Sequence, residues 1–192
     1  MSGAKNVIDM RPSKGFSPSQ GNEHLRRLHD CERAQKARWN YDPSREHLNF
    51  EVGKGGVVTE VNKFKTINQR IQENLDSRGI VNPNKKYIDQ GLDPKYRTVV
   101  NFILGGNREV MRNLAFGNQK VDWEHGADNS DLKRMPEIES WAKDAYAFMC
   151  KKYGEQNIAA FVVHLDEANP HVHCTVLPII EKNRFSFIKT FM

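Results

Sequence analysis

The stretch Ala159–Pro178, AAFVVHLDEANPHVHCTVLP, decides how this chain is read. Two apolar, β-branched runs flank Glu167-Ala-Asn-Pro170. That segment carries turn chemistry, and Pro170 suits the first position of a returning strand. Side chains alternate faces along a strand, so His171 and His173 share one face while Val172 and Cys174 enter the opposite layer. An antiparallel pair folded at this turn brings His164 back opposite His171 and His173. Three imidazoles then converge, with the Glu167 carboxylate at the rim, a donor set that first-row divalent ions take. A lone His-x-His would mean only two half-exposed histidines on an edge strand; the third imidazole and the carboxylate argue for a metal site. Asp166 either accepts a ring N–H from a ligating histidine or caps the turn.

His164-Leu-Asp-Glu-Ala-Asn-Pro-His171-Val-His173 resembles the HxDExxPHxH signature of plasmid mobilisation relaxases of the MobV (Mob/Pre) family. Its His-hydrophobic-His core is similar to that of HUH endonucleases in general. Tyr153-Gly-Glu-Gln-Asn-Ile158 resembles the family's YGxxNI, and Asp42-Pro-Ser-Arg-Glu-His-Leu-Asn49 its PxRxHLN segment. The likeness runs from about Asn22 to the end of the chain. It implies an α+β fold, a two-layer sandwich with a mainly antiparallel central sheet.

Composition sets looser bounds. The 192 residues suffice for one domain with a sizeable core. No apolar run approaches the roughly 18 residues of a membrane span, and no signal pattern opens the chain, so a bacterial cytoplasmic protein is expected. Cys31, Cys150 and Cys174 are odd in number and widely spaced, as reduced thiols rather than a disulfide framework. A net charge of +5 is compatible with a polyanionic partner. The apolar ending Phe185–Met192 is unlike a solvated tail, which suggests a domain of a longer protein; the resemblance implies a single nicking domain, the N-terminal part of a mobilisation protein.

Working outward, Val7–Met10 reads as a first strand ended by Pro12 and Gly15. Ser17-Pro18 reads as N-cap and first position of a helix reaching about Arg38, with Leu25, Leu28, Cys31 and Ala34 as its apolar stripe. Asn40–Arg45 reads as a loop, His47–Val52 as a strand, Gly53–Gly56 as a turn, and Asn62–Arg78 as a helix closed by Gly79. Ile80–Tyr96 is a polar connection, Thr98–Leu104 a strand, and Arg108–Phe116 a short helix before a polar loop holding His125. Pro136–Tyr153 is a long helix with Ile138, Trp141, Ala145, Phe148 and Met149 on its apolar side. Gly105-Gly106 matches neither nucleotide-loop pattern.

The resemblance also implies chemistry: metal-dependent nicking and rejoining of one DNA strand at an origin of transfer, through a 5′-phosphohistidine. His24-Leu-Arg-Arg27 resembles the family's HxxR motif, which makes His24 the nucleophile and Arg27 its companion. His29 is the rival, better placed relative to Pro43 but without an arginine three residues on. Phe50 stands where many relatives carry tyrosine, and it has no hydroxyl to attack with. His164, His171 and His173 would hold the ion, Mn²⁺ or Mg²⁺ by family likeness, with Zn²⁺ or Ni²⁺ fitting the imidazoles by affinity. Glu167 is either acceptor of the nucleophile's other ring proton or a further metal contact. Arg26, Arg27, Arg45 and Lys189 are the expected contacts to single-stranded or hairpin origin DNA, and homodimerisation is expected through a region beyond Met192. Three other readings stand beside this one. They are an HUH replication initiator using tyrosine, a hydrolase of small phosphoesters, and an origin-binding domain without catalysis.

Overall fold

The computed structural model describes residues 6–37 and 41–192. Six strands, β1 (Val7–Ser13), β2 (Phe50–Gly53), β3 (Val57–Glu60), β4 (Val99–Gly105), β5 (Ile158–His164) and β6 (His171–Val176), form one sheet. Its order is β1-β4-β6-β5-β2-β3, and every neighbouring pair is antiparallel. The hairpin read from the quoted stretch therefore lies at the centre, where β6 is bonded on both sides. Such strands read as near-continuous apolar runs because both of their faces are covered. β1 pairs only with β4 and tolerates Pro12 because an edge strand can lack one N–H.

Helices cover both faces. On one face α5 (Arg108–Phe116) and α6 (Pro136–Tyr153) pack Met111, Ala115, Phe116, Ile138, Ala142 and Met149 against Phe102, Phe161, Val163, Val172 and Cys174. On the other, α1 (Pro18–His24) and α3 (Ile67–Ser77) cover Val162, Ala160 and Leu177 with Leu25, Ile67, Ile71 and Leu75. The α+β class and the antiparallel sheet are as read from the sequence, with a helical layer on each side of that sheet. Each fully buried Phe50, Phe102 or Phe161 contributes about 1.5–3 kcal/mol by leaving water. Remaining elements are α2 (Asp30–Ala37), α4 (Lys85–Ile88), the small hairpin β7 (Ile179–Ile180) and β8 (Arg184–Phe185), and α7 (Phe187–Phe191).

Several boundaries differ from the sequence reading. The helix expected from Pro18 to Arg38 is two helices, because Arg26 takes a left-handed turn (φ 52°) right after α1. Its expected end at Arg38 and the Ala34 side chain lie outside the described residues, and Cys31 is exposed rather than on an apolar stripe. His47 and Leu48 belong to a 3-10 turn, Pro43–Leu48, that Asp42 caps by accepting from the Ser44 N–H, so β2 starts only at Phe50. α3 starts at a Thr66–Gln69 capping box rather than at Asn62. β3 and α4 were not anticipated. On α6, Phe148 is 48% exposed, and Ala142 and Tyr146 take the buried positions instead.

Candidate metal centre and nucleophile

Three histidines meet at the end of the β5–β6 hairpin. The register pairs His164 with His171 and Val162 with His173, so all three imidazoles stand on the sheet face that α1 crosses. Ring centroids lie 5.4 Å apart for His164–His171, 4.9 Å for His164–His173 and 4.7 Å for His171–His173. One ligand atom from each falls within 4.8 Å of the others. The His171 and His173 Nε2 atoms approach to 2.9 Å, and the His171 Nδ1–H donates to the Asn169 carbonyl at 2.9 Å, leaving Nε2 turned inward. That pattern, one nitrogen fixed by a carbonyl and the other aimed at a common point, is how proteins prepare imidazole ligands. The donor set fits a divalent ion.

His164 is engaged on both nitrogens. Arg26 can only donate, so the 3.1 Å contact from its Nη2 makes Nδ1 the acceptor, and the Nε2–H donates to the His24 carbonyl at 2.8 Å. Binding a cation through His164 exchanges one of these bonds for a metal bond. Burial lowers the proton affinity of His173 strongly and of His171 as well. Both are thus neutral at neutral pH, the state a metal needs.

The last residue of α1 is His24. Its ring stacks on His173 with centroids 3.9 Å apart and planes at 22°, while Phe16 meets its other side edge-on at 5.4 Å. It is 4% exposed, and burial, then the nearby His164 and Arg26, push its pKa down to about 3. An unprotonated imidazole beside the trio is equipped for nucleophilic attack. His29 is exposed in the turn before α2, its backbone N–H bonded to Glu32. The structure brings His24 to the trio and places His29 in solvent.

Arg26 is the residue whose role the sequence reading missed, and its assignment as a DNA contact is corrected here. It is 2% exposed, with Nε and Nη2 forking onto the two Asp166 oxygens at 2.8 and 2.7 Å. Nη2 also reaches Glu167 at 2.7 Å. Nη1 donates to the Glu23 carbonyl at 3.1 Å, so this buried guanidinium is spent on carboxylates and backbone inside the protein rather than turned to a phosphate. Asp166, buried completely, accepts from Asn49 Nδ2 as well, so it anchors Arg26 rather than an imidazole. Burial alone would raise the Asp166 pKa, but the Arg26 hydrogen bonds hold it low. Glu167 is likewise kept ionised against burial by His164, His171 and Arg26.

Arg45, the second expected DNA contact, is corrected in the same way. It is 3% exposed, paired to Asp42 at 2.7 Å, and donates to the Leu165 carbonyl at 2.7 Å. Arg27 differs: its Nη1 is buried with no hydrogen-bond partner among the described residues. Lys189 is exposed on α7, a helix that packs Phe191 on Phe102 and Tyr153 in the layer opposite the histidines. Tyr41, a tyrosine without a matching motif context in the sequence, bridges Glu167 through its backbone, but its hydroxyl is held by Glu46.

A six-stranded antiparallel sheet with a His-x-His on its central strand and a third histidine on the neighbouring strand defines an HUH-type domain. Residues 112–191 match the Mob_Pre family model, described as plasmid recombination enzyme. A type 1 plasmid recombination enzyme of Staphylococcus aureus is 42% identical over 147 residues, which cover 73% of this chain and 36% of that protein. One from Bacillus thuringiensis is 33% identical over 95 residues (48% of this chain, 17% of that protein). One from Lactiplantibacillus plantarum is 24% identical over 152 residues (78% and 32%). In structure, the chain is similar to the MobM relaxase domain bound to plasmid pMV158 oriT DNA with Mn, at TM-score 0.64 and 19% identity. The match covers 97% of this chain and 76% of that one, a likeness of fold. The chain belongs to the Mob_Pre family. It spans about a third or less of the length of these curated relatives. No helix among the described residues is long and apolar enough to cross a membrane.

Proposed function

We propose that this chain is the nicking domain of a longer mobilisation protein, a relaxase that cuts and rejoins one DNA strand at an origin of transfer. The observation that carries the reading is the His24 ring stacked 3.9 Å from His173, beside three imidazoles that converge on one point. His164, His171 and His173 would hold a divalent ion, for which Mn²⁺ is favoured because the similar MobM complexes contain it. When bound, such an ion neutralises charge on the scissile phosphate and fixes its orientation.

The chain's own residues supply the rest. His24 attacks phosphorus, an N–P bond forms, and the P–O3′ bond breaks; the 3′ oxygen takes a proton from solvent and leaves as a hydroxyl, while the other ring nitrogen of His24 gives one up, so protons and charge balance. Burial keeps His24 unprotonated, so no base is needed to free its lone pair. Glu167, ionised and turned into the cluster, accepts the remaining ring proton's hydrogen bond as positive charge builds on the imidazole. Arg27, whose buried Nη1 has no hydrogen-bond partner among the described residues, is a cation placed to meet a phosphate. Because the phosphoryl group stays on the protein, the 3′ hydroxyl can attack it in reverse and reseal the strand.

The tyrosine-based alternative is disfavoured by position. The Tyr41 hydroxyl is taken by Glu46, and Tyr153 stacks on Phe102 across the sheet. Incubation with Mn²⁺ and a single-stranded oligonucleotide carrying an origin nick site should yield a protein–DNA adduct. It should be labile in acid, as a phosphoramidate is, and His24→Ala should abolish it. An adduct that survives acid, or one that persists in His24→Ala, overturns the reading.

A further inference from the structure

The turn between β5 and β6 carries Glu167 and delivers His171, yet it is held mostly by groups from elsewhere in the chain. The Leu165 carbonyl accepts from Arg45 Nη1 at 2.7 Å, and the Asp166 carbonyl from the Asp42 N–H at 2.7 Å. The Glu167 carbonyl takes a longer contact from Arg45 Nη2 at 3.5 Å. The Ala168 carbonyl accepts twice from Arg112, through Nε at 2.9 Å and Nη2 at 2.6 Å. The Asn169 carbonyl takes the His171 ring N–H. Five successive carbonyls are thus engaged, and two arginines account for three of them.

Both arginines lie against one indole. The Arg112 guanidinium sits 3.4 Å from the centroid of the Trp123 ring, and that of Arg45 sits 4.7 Å from it. A planar guanidinium stacked on an aromatic face is fixed in orientation while its edge stays free to donate, which a lysine cannot imitate. Trp123 is in turn seated edge-on against Phe116, a buried residue of α5, at 6.0 Å. Arg112 projects from the same helix, which Met111 and Ala115 anchor in the core. The rigid helix is therefore linked through one stacked pair to the residue following Glu167.

We infer that Trp123 and Arg112 act as a clamp that positions the Glu167–His171 turn, and so sets both metal affinity and the rate of the chemical step. The inference rests on the nickase reading for its second half only. Trp123 and Arg112 are positioning residues, since their contacts reach the reacting groups through the Ala168 carbonyl. Trp123 is also 39% exposed in a groove shared with Tyr41, His125 and Ala168, so its substitution does not hollow out the core.

The test uses the full chain and four variants: Arg112→Ala, Arg112→Lys, Trp123→Ala and Trp123→Phe. Mn²⁺ affinity is read by paramagnetic resonance without DNA, and nicking is read as kcat and KM on an origin oligonucleotide. Arg112→Ala and Trp123→Ala should weaken Mn²⁺ binding about 10-fold or more, as outer contacts to metal ligands do. They should also lower kcat while KM stays within about twofold. Trp123→Phe should recover most of the loss and Arg112→Lys little of it. Wild-type Mn²⁺ affinity in both alanine variants overturns the inference whatever nicking shows, as does full rescue by Arg112→Lys, or a loss of melting temperature alone. A drop in Mn²⁺ affinity in a chain that nicks no DNA upholds the clamp and defeats the nickase reading instead.

Discussion

The histidine hairpin and the segment that carries His24 reach the same point by different means. β5 and β6 lie in the middle of the sheet, and the strand period alone puts His164, His171 and His173 on one face. The His24 segment has no such ladder. α1 ends after seven residues, Arg26 turns left-handed, and the chain is fastened by an ion pair to Asp166, 140 residues away. A left-handed non-glycine residue costs about 1–3 kcal/mol, so it persists only where surrounding contacts demand it. Here the demand is the fork from Arg26 onto Asp166, which also draws the His24 carbonyl onto His164. The three converging imidazoles are thus set by local geometry, and His24 by a long-range electrostatic contact.

Breaking that contact should have the largest effect. Arg26→Ala leaves Asp166 buried and unpaired, and the loss should be about 3–5 kcal/mol, measured by urea unfolding at neutral pH. A variant of unchanged stability would mean that the segment is held by its apolar packing instead. Breaking the hairpin's side of the site should do the reverse. His171→Ala should weaken Mn²⁺ binding by about 100-fold, roughly 2.7 kcal/mol, while leaving melting nearly unchanged. Titration calorimetry and thermal melts separate the two outcomes, and an unaltered Mn²⁺ affinity would remove His171 from the ligand set.

The smallest effect expected is the share of one histidine, His24, in a pH dependence that sharpens the contrast. His24, His171 and His173 all have folded pKa values below the ordinary histidine value, so the unfolded chain binds more protons than the folded one below about pH 6.5. Stability of the metal-free protein should therefore fall as pH drops through that value, by about 1.4 kcal/mol per pH unit for each proton taken up. His24→Gln should reduce this slope by one proton's share, read from unfolding midpoints between pH 7 and 5. An unchanged slope would place His24 in solvent, away from the trio.

The same division explains what could be read from the sequence. The hairpin was legible because alternation, a Pro-containing turn and the positions of three histidines are local facts. So were α5, α6 and β4, whose apolar pattern and ends are marked by Asn107, Pro136, Gly154 and Gly105. The break after His24 was not, since Leu25, Leu28 and Cys31 continue a helical spacing and no Gly or Pro interrupts it. Arg26 and Arg45 looked like DNA contacts because a sequence does not reveal that Asp166, Asp42 and the Leu165 carbonyl wait for them. Trp123 and Arg112 left no local trace either. By contrast β3 could have been read, because Val57-Val-Thr after the Gly53–Gly56 turn carries the β-branched signal of a returning strand.

The central claim is tested most directly by digesting the covalent protein–DNA adduct under mildly alkaline conditions and sequencing the DNA-linked peptide by mass spectrometry. The linked residue should be His24. A peptide modified at His29, at a tyrosine, or at no residue of this chain would contradict the account.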